Sequence, residues 1–167
     1  MLQLKKIIFI RPGKHNKGGS LTGEGQRNLV DLTQKLRESE INQEARISIF
    51  SSPVIHALET TNLLCRELNI KTECIKEYEV LGVKVPNNSI FYNKKVSEIV
   101  EREVEEETDV LIMVTNKSVI KSFPRYYSIT SLWGDCSYIS LRRGEAFILN
   151  FDKAETTVFH QPMNIFV

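Results

Sequence analysis

The stretch LKKIIFIRPGK, residues 4–14, decides the predicted fold because a short apolar segment runs directly into a polar turn. β-Branched and aromatic residues fill its centre, which is typical of a strand buried on both faces. The strand ends at Arg11-Pro12-Gly13. An arginine beside a glycine turn favours anion binding, but the proline between them has no reactive atom and no backbone N–H. The turn therefore predicts a place to hold an anion, with an unexpected residue at its centre.

Two further apolar segments complete the expected sheet. Residues 46–52 and 109–116 end on polar side chains as the first segment does, and a shorter strand is predicted near residues 71–76. Between the strands, apolar residues recur at helical spacing in the segments 21–39, 53–68, 94–107 and 117–127. This alternation predicts a three-layer α/β/α fold with a mostly parallel central sheet.

Local signals set the expected boundaries of these elements. Thr22 is a predicted N-cap, and Pro53 is suited to the first turn of a helix. The glutamate-rich segment 94–107 predicts a helix with one solvated face. Residues 135–151 predict a closing β-hairpin around Arg142-Arg143-Gly144. The pattern predicts no structure for residues 153–167.

The ends of the predicted parallel strands are the expected location of a site. Ligands bind at the carboxyl ends of the strands in open α/β sheets. Here those ends carry Arg11-Pro12-Gly13, Ser51-Ser52-Pro53 and Thr115-Asn116-Lys117. We therefore expect these three short segments to lie along one edge of the sheet.

Composition excludes several classes of function. The 167 residues predict a single domain over positions 1–167, and a net charge of +1 does not indicate a nucleic-acid partner. The 3 cysteines, Cys65, Cys74 and Cys136, have spacings that predict neither a metal site nor a disulfide framework. No apolar segment has the length of a membrane span or a signal sequence. We therefore expect a cytoplasmic protein without metal or cofactor.

A nucleotide-binding loop is the nearest competing motif. Gly13, Gly18, Gly19 and Ser20 have the spacing of G-x-x-x-x-G-K-[ST], after a strand and before a helix. However, Gly19 occupies the position of the lysine that contacts the β and γ phosphates, and residues 109–116 place no acidic residue at the strand end to hold Mg²⁺. We therefore reject an NTPase and interpret the segment as a loop with glycine turns.

Taken together, residues 4–152 resemble the histidine phosphatase superfamily, which has the phosphoglycerate mutase-like fold. Its first strand ends in Arg-His-Gly and precedes a helix opening LT..G..Q; here FIRPGK precedes LTGEGQRNLVDLTQKL. IFSSPVIHALETTNLL is similar to its SSPLxRAxQTA, and IMVTNKSVI to its VSHGGVI. The segment CSYISLRRGEAFILNF stands where the family closes its sheet.

The resemblance implies a set of catalytic positions, most of which are substituted. The family's histidine attacks the phosphoryl group, two arginines and a second histidine surround the oxygens, and a carboxyl group protonates the leaving oxygen. The first arginine is Arg11, but the nucleophile falls on Pro12, the second arginine on His56 and the second histidine on Asn116. The resemblance places the acid at Glu77 or Glu79, either of which is also an ordinary surface glutamate.

These substitutions predict a catalytically inactive phosphatase-like domain that binds phosphate, a phosphorylated small molecule or protein, or another protein partner. The expected phosphate-binding residues are Arg11, Gly13, His56, Asn116 and Lys117. Because a buried guanidinium needs a partner, we also expect Arg11 to contact a carboxylate, a carbonyl or an anion.

Two alternatives remain open. The first is a phosphomonoesterase or phosphohistidine phosphatase that uses His56 or His15, although His15 is expected to be an exposed loop side chain. The second is an interaction module with a closed pocket. Lys14 and Lys17 would strengthen an anion site, but lysines at such positions are also ordinary solvated side chains. His160 is assigned no role.

Overall fold

A computed structural model describes residues 4–84, 89–131, 134–136 and 139–161. Strands and α-helices alternate through the first three quarters of the chain, and two strands follow. In chain order the elements are β1 (Lys6–Ile10), α1 (Gly23–Ser39), β2 (Ile47–Ser51), α2 (Ile55–Leu68), β3 (Ile75–Glu77), α3 (Ile90–Glu103), β4 (Val110–Val114), α4 (Lys117–Thr130), β5 (Ala146–Asn150) and β6 (Glu155–Phe159). Short 3-10 turns lie at Thr72–Cys74 and Glu79–Leu81.

The strands form one sheet in the order β3-β2-β4-β1-β5-β6. β3, β2, β4 and β1 are parallel, whereas β5 and β6 are antiparallel additions beside β1. Ile8 of β1 pairs with Ile112 of β4 on one side and with Ile148 of β5 on the other. The predicted mostly parallel sheet with a closing hairpin is therefore confirmed.

Apolar clusters on both faces of the sheet make the fold three-layered. Ile8 and Ile10 belong to a cluster that includes residues of α1 and α2, whereas Ile7 and Phe9 belong to one that includes residues of α3 and α4. All four side chains are fully buried, as the opening stretch predicts. Successive strand residues point to opposite faces, so a strand between two helical layers must be apolar throughout.

The position of the closing hairpin corrects the sequence prediction. Arg142-Arg143-Gly144 form a turn before β5, and the hairpin turn lies at residues 151–154 instead. The described parts of the predicted first strand, residues 135–136 and 139–141, are not strand, and its positions 137–138 lie outside the described residues. β6 falls where no structure was predicted, because an exposed edge strand such as ETTVF lacks a strong apolar alternation.

Other boundaries shift by a few residues. β3 begins after a 3-10 turn, and α3 runs from Ile90 to Glu103 with Ser89 as its N-cap. Glu105, Glu106 and Glu107 therefore lie beyond the helix rather than on its face. α2 begins after Val54, so Pro53 precedes the N-cap residue. None of the helices in the described ranges is both long and apolar enough to cross a membrane.

Candidate functional site

The carboxyl ends of β1, β2 and β4 meet at one edge of the sheet, as predicted. Ile10 pairs with Val114, and Val114 also pairs with Ser51. The ladder continues one residue further, where the Thr115 N–H donates to the Ile10 carbonyl at 3.1 Å and the Ser52 N–H to the Val114 carbonyl at 3.0 Å. The segments that follow these strands are therefore neighbours in space.

Arg11 is half-buried at this edge. One guanidinium nitrogen, Nη1, donates to the carbonyl of Leu141 at 2.6 Å, which confirms the expectation that Arg11 needs a partner. Burial lowers the pKa of Arg11, and the positive charge of Arg143 lowers it further, while Glu145 opposes the change. The backbone N–H of Arg11 donates to the Glu145 carbonyl at 3.0 Å. The segment 141–145 therefore covers Arg11.

Pro12 and Gly13 are buried beneath the same segment. Gly144, whose φ of +75° favours glycine, donates its N–H to the carbonyls of Arg11 and Pro12 at 3.0 and 3.2 Å. The Gly13 N–H donates to Oγ1 of Thr60 at 3.1 Å. The backbone N–H that an anion would need at Gly13 therefore already has an acceptor.

Asn116 is the N-cap of α4. Its Oδ1 accepts hydrogen bonds from the backbone N–H groups of Ser118 and Val119 at 3.0 and 3.1 Å. Its Nδ2 donates to the carbonyl of Val83 at 2.7 Å. Asn is among the preferred N-cap residues. Capping α4 is therefore a structural role for Asn116, in addition to the expected role in phosphate binding. Lys117, the next residue, is exposed.

His15 and His56 stack face to face. Their ring centroids are 4.0 Å apart and their planes differ by 5°. His15 Nδ1 lies 3.2 Å from the carbonyl of Gly13; since a carbonyl only accepts, Nδ1 carries the proton of this bond. Burial lowers the pKa of His56, as do the nearby His15 and Arg143. His15 is half-buried, so the expectation of an exposed loop side chain is wrong.

An open cleft of about 660 Å³ contains this histidine pair. Residues 15–19 form one wall, residues 53–56 at the start of α2 form another, and Arg143 also lines the cleft. Arg11 and Asn116 are not among the described residues that line it. The described lining includes no aspartate or glutamate. The charged side chains of the described lining, Lys17 and Arg143, are therefore both cationic.

A buried carboxylate positions the turn that carries Arg143. The side chain of Glu145 is 0% exposed and accepts hydrogen bonds from the Arg142 backbone at 2.7 Å and from Arg142 Nε at 2.8 Å. It also accepts the Gln161 N–H at 3.0 Å, and His160 Nδ1 lies 3.2 Å away. Burial alone would raise the pKa of Glu145, but the hydrogen bonds from Arg142 and Gln161 hold it below its ordinary value.

The loop that carries His15 is anchored by another carboxylate. Glu59 Oε2 accepts the Leu21 N–H at 2.6 Å, and His15 forms an isolated β-bridge with Leu21. The two acid candidates, Glu77 and Glu79, are both exposed and neither lines the described cleft. The described residues contain no group of three or more His, Cys, Asp or Glu able to hold a metal ion.

Comparison with known proteins identifies the fold. SixA from Agrobacterium tumefaciens superposes with a TM-score of 0.62 at 10% identity, over 93% of this chain and 95% of that one. The protein histidine phosphatase SixA complexed with tungstate gives 0.59 at 13% identity, over 92% and 94%. A mycobacterial glucosyl-3-phosphoglycerate phosphatase complexed with VO3 gives 0.58 at 12% identity, over 87% and 92%.

These neighbours are members of the histidine phosphatase superfamily, so the chain has the phosphoglycerate mutase-like fold that the sequence predicts. The sequence matches no protein family model and no curated protein. Overall similarity at these identities establishes the architecture, while the chemistry depends on the residues at the edge of the sheet.

Proposed function

We propose that this chain is a catalytically inactive phosphatase-like domain that binds a phosphate group or a phosphorylated ligand at the carboxyl edge of its sheet. The observation that carries the proposal is Pro12, which directly follows Arg11 at the end of β1 and is buried under the N–H of Gly144. Proline has no atom that can accept a phosphoryl group. The position implied for the nucleophile therefore cannot perform the reaction.

Anion binding is supported by what surrounds this turn. Cationic or protonatable side chains remain at the edge, among them Arg11, His56 and Lys117. Two neighbours of the same fold are complexed with the oxyanions tungstate and VO3. Of the five proposed ligands, His56 lines the open cleft, whereas Gly13 and Asn116 already donate hydrogen bonds within the protein. The proposal therefore depends more on side-chain charge than on the backbone turn.

A second candidate is a phosphomonoesterase that uses His15 or His56. The observation that favours it is the hydrogen bond from His15 Nδ1 to the Gly13 carbonyl. In neutral His15 this bond leaves a lone pair on Nε2, as a nucleophile requires. Nε2 would form an N–P bond as the ester P–O bond breaks, the leaving alkoxide would take a proton from solvent, and water would then cleave the N–P bond to release phosphate. Glu77 and Glu79 are exposed, so neither supplies a fixed acid within the described cleft.

Turnover of p-nitrophenyl phosphate distinguishes these candidates. We expect the wild-type protein to bind the ester, detected by calorimetry, without releasing more p-nitrophenol than a His15→Gln/His56→Gln double variant. Hydrolysis that the double variant abolishes, together with an alkali-stable and acid-labile phosphoryl group on the protein, would establish the esterase instead. Absence of both binding and turnover would favour the interaction module with a closed pocket.

A further inference from the structure

We propose that the anion lies in the cleft between residues 15–19 and the start of α2, held by His15, His56 and Arg143, and that its binding is coupled to protonation of the stacked histidine pair. The ligand class is a phosphomonoester in its dianionic form. This inference rests on the proposed function and moves the binding site outward from the Arg11-Pro12-Gly13 turn. In this cleft, side chains of which two can be protonated would hold the anion in place of backbone N–H donors.

The turn itself leaves little for an anion to bind. The Gly13 N–H is bonded to Thr60, Pro12 has no N–H, and Arg11 directs Nη1 to the Leu141 carbonyl. A Cβ placed at Gly13 would lie 2.7 Å from Cδ1 of Leu29, so the turn is also packed from the α1 side. An anion here would have to displace existing hydrogen bonds.

The cleft beside the turn has the opposite character. His15, His56, Lys17 and Arg143 line it, and its described lining contains no carboxylate. The N-terminus of the 14-residue helix α2 forms one wall, and its N-cap residue, Val54, provides no side-chain hydrogen bond to the first turn. The positive end of a helix macrodipole therefore adds to the charge of the side chains.

The carboxylates on the surrounding elements are occupied elsewhere. Glu59 of α2 accepts the Leu21 N–H, Glu24 of α1 pairs with Lys14 at 2.6 Å, and Glu145 is bonded to Arg142. The charged side chains left to face the histidine pair are Lys17 of the loop and Arg143 of the turn. The charged side chains in the described lining of the cleft are therefore both positive.

Stacking makes this site sensitive to protons. Two imidazolium rings with centroids 4.0 Å apart repel each other, and burial together with Arg143 further opposes protonation of His56. A dianion in the cleft would offset that repulsion and favour the charged rings. Because linkage is reciprocal, an anion that raises the affinity of the rings for protons must itself bind more tightly when the rings are protonated.

The turn that carries Arg143 is fixed in place. Glu145 bonds Arg142 on one side, and Gly144 donates its N–H to the carbonyls of Arg11 and Pro12 on the other. Arg143 lies between these two anchors. A guanidinium on a fixed turn loses less conformational freedom when it binds an anion. Pro12 thus contributes its carbonyl to the support of the proposed site.

Calorimetric titration with phenyl phosphate tests the proposal. Pro53, Val54 and Ile55 supply an apolar wall suited to the phenyl group, and inorganic phosphate is the comparison ligand that lacks it. Titrations in two buffers of different ionisation enthalpy measure proton uptake at about pH 7.5, where the ester is already dianionic. We expect net proton uptake, and weaker binding as the pH rises from about 6 to 8, the range in which histidine titrates.

Variants separate the groups. Arg143→Gln is expected to weaken binding about tenfold or more, the effect of losing one charge-assisted hydrogen bond. His56→Gln, which retains the bond from His15 to Gly13, should weaken binding and reduce proton uptake, and the double variant with His15→Gln should abolish uptake. Arg66→Gln, at the far end of α2 and 70% exposed at its side chain, is the matched control and should change neither quantity. Thermal melts establish that each variant folds.

The outcomes distinguish this inference from the proposed function on which it rests. If phenyl phosphate binds with unchanged affinity and proton uptake in the Arg143 and histidine variants, but not in Arg11→Gln, the site is the turn and this inference is wrong while the proposed function stands. If the wild type binds neither ligand at any pH tested, both are wrong.

Discussion

Two clefts of similar size, both lined by described residues, lie at opposite ends of the parallel strands and differ in how their charges are paired. At the amino ends of the strands, a cleft of about 560 Å³ contains Lys5, which lies 2.8 Å from Asp109, and Lys6, which lies 3.0 Å from Glu40. At the carboxyl ends, the cleft around His15 and His56 has no described carboxylate in its lining. Cations occur in both, but only the second leaves them without acidic partners in the wall.

This difference shows that positive residues alone do not make an anion site. A lysine that already has a carboxylate partner must lose that interaction before it can bind a ligand, and the exchange gains little. The protein directs its carboxylates at the carboxyl edge away from the cleft, with Glu145 bonded to Arg142 and Glu59 to a backbone N–H. Four substitutions test this arrangement, in order of decreasing expected effect on stability.

Replacement of Glu145 should have the largest effect. Glu145→Gln removes the charge of a fully buried side chain and weakens its bonds to Arg142 and Gln161, which should lower the free energy of unfolding by about 2–3 kcal/mol. Urea denaturation measures the change. Glu155→Gln, on the exposed strand β6, is the matched control, since its contact with Lys153 is 3.8 Å long. An effect as small as the control's would show that the turn carrying Arg143 is held by other contacts.

The same substitution predicts a change with pH. The pKa of Glu145 is lower in the folded protein than its ordinary value, so its stabilising contribution is present above that ordinary value and is lost as the pH falls through the folded pKa. Below about pH 4.5, the ordinary range of a glutamate, Glu145→Gln should therefore lose less stability than the wild type as the pH falls.

Gly25 controls the position of the histidine loop. A Cβ at this position would clash with the carbonyl oxygen of Lys14, so Gly25→Ala must displace either α1 or the loop before His15. We expect a loss of about 1–3 kcal/mol in unfolding free energy, and weaker phenyl phosphate binding because His15 moves with the loop. Gly23→Ala, in the same helix, is the control: its nearest neighbour would be the flexible Arg27 side chain at 3.4 Å. Equal stability of the two variants would contradict the close packing.

What the sequence could predict differs between the buried centre of the sheet and its exposed edge. Residues 7–10 could be assigned to a central strand because burial on both faces demands an unbroken apolar run. β6 could not be assigned from the sequence, since an exposed edge strand does not require apolar side chains. The approach of His15 to His56 across the fold has no local sequence signal, and neither has the bonding of Glu145 to residues 160–161. Arg143 was expected in a hairpin turn, and its place in the cleft emerged only from the structure.

Asn116 tests whether an expected ligand is a structural residue. Asn116→Ala removes the cap of α4 and the bond to Val83, and should lower the unfolding free energy by about 1 kcal/mol. Asn116→Asp retains the capping oxygen and should recover much of that loss. Neither variant should alter phenyl phosphate affinity by calorimetry if Asn116 acts only as a cap. A tenfold loss of phenyl phosphate affinity in Asn116→Ala would show instead that Asn116 belongs to the binding site.

The last substitution, Ile55→Asp, has the smallest expected effect on stability and tests the comparison between the clefts most directly. Ile55→Asp places a carboxylate at the first residue of α2, within the cleft. The cleft at the carboxyl ends of the strands then has an acidic side chain in its lining, as the cleft at the amino ends already does. A negative charge near the helix N-terminus favours folding by about 0.3–1 kcal/mol relative to Ile55→Asn, which has a similar shape without the charge. The same charge raises the pKa of His56 and repels a dianion. We therefore expect Ile55→Asp to be slightly more stable than Ile55→Asn by urea denaturation and to bind phenyl phosphate at least about tenfold more weakly. A gain in stability without that loss of affinity would mean that the anion is bound away from the start of α2, and that unpaired charge in this cleft is not what distinguishes it from the other.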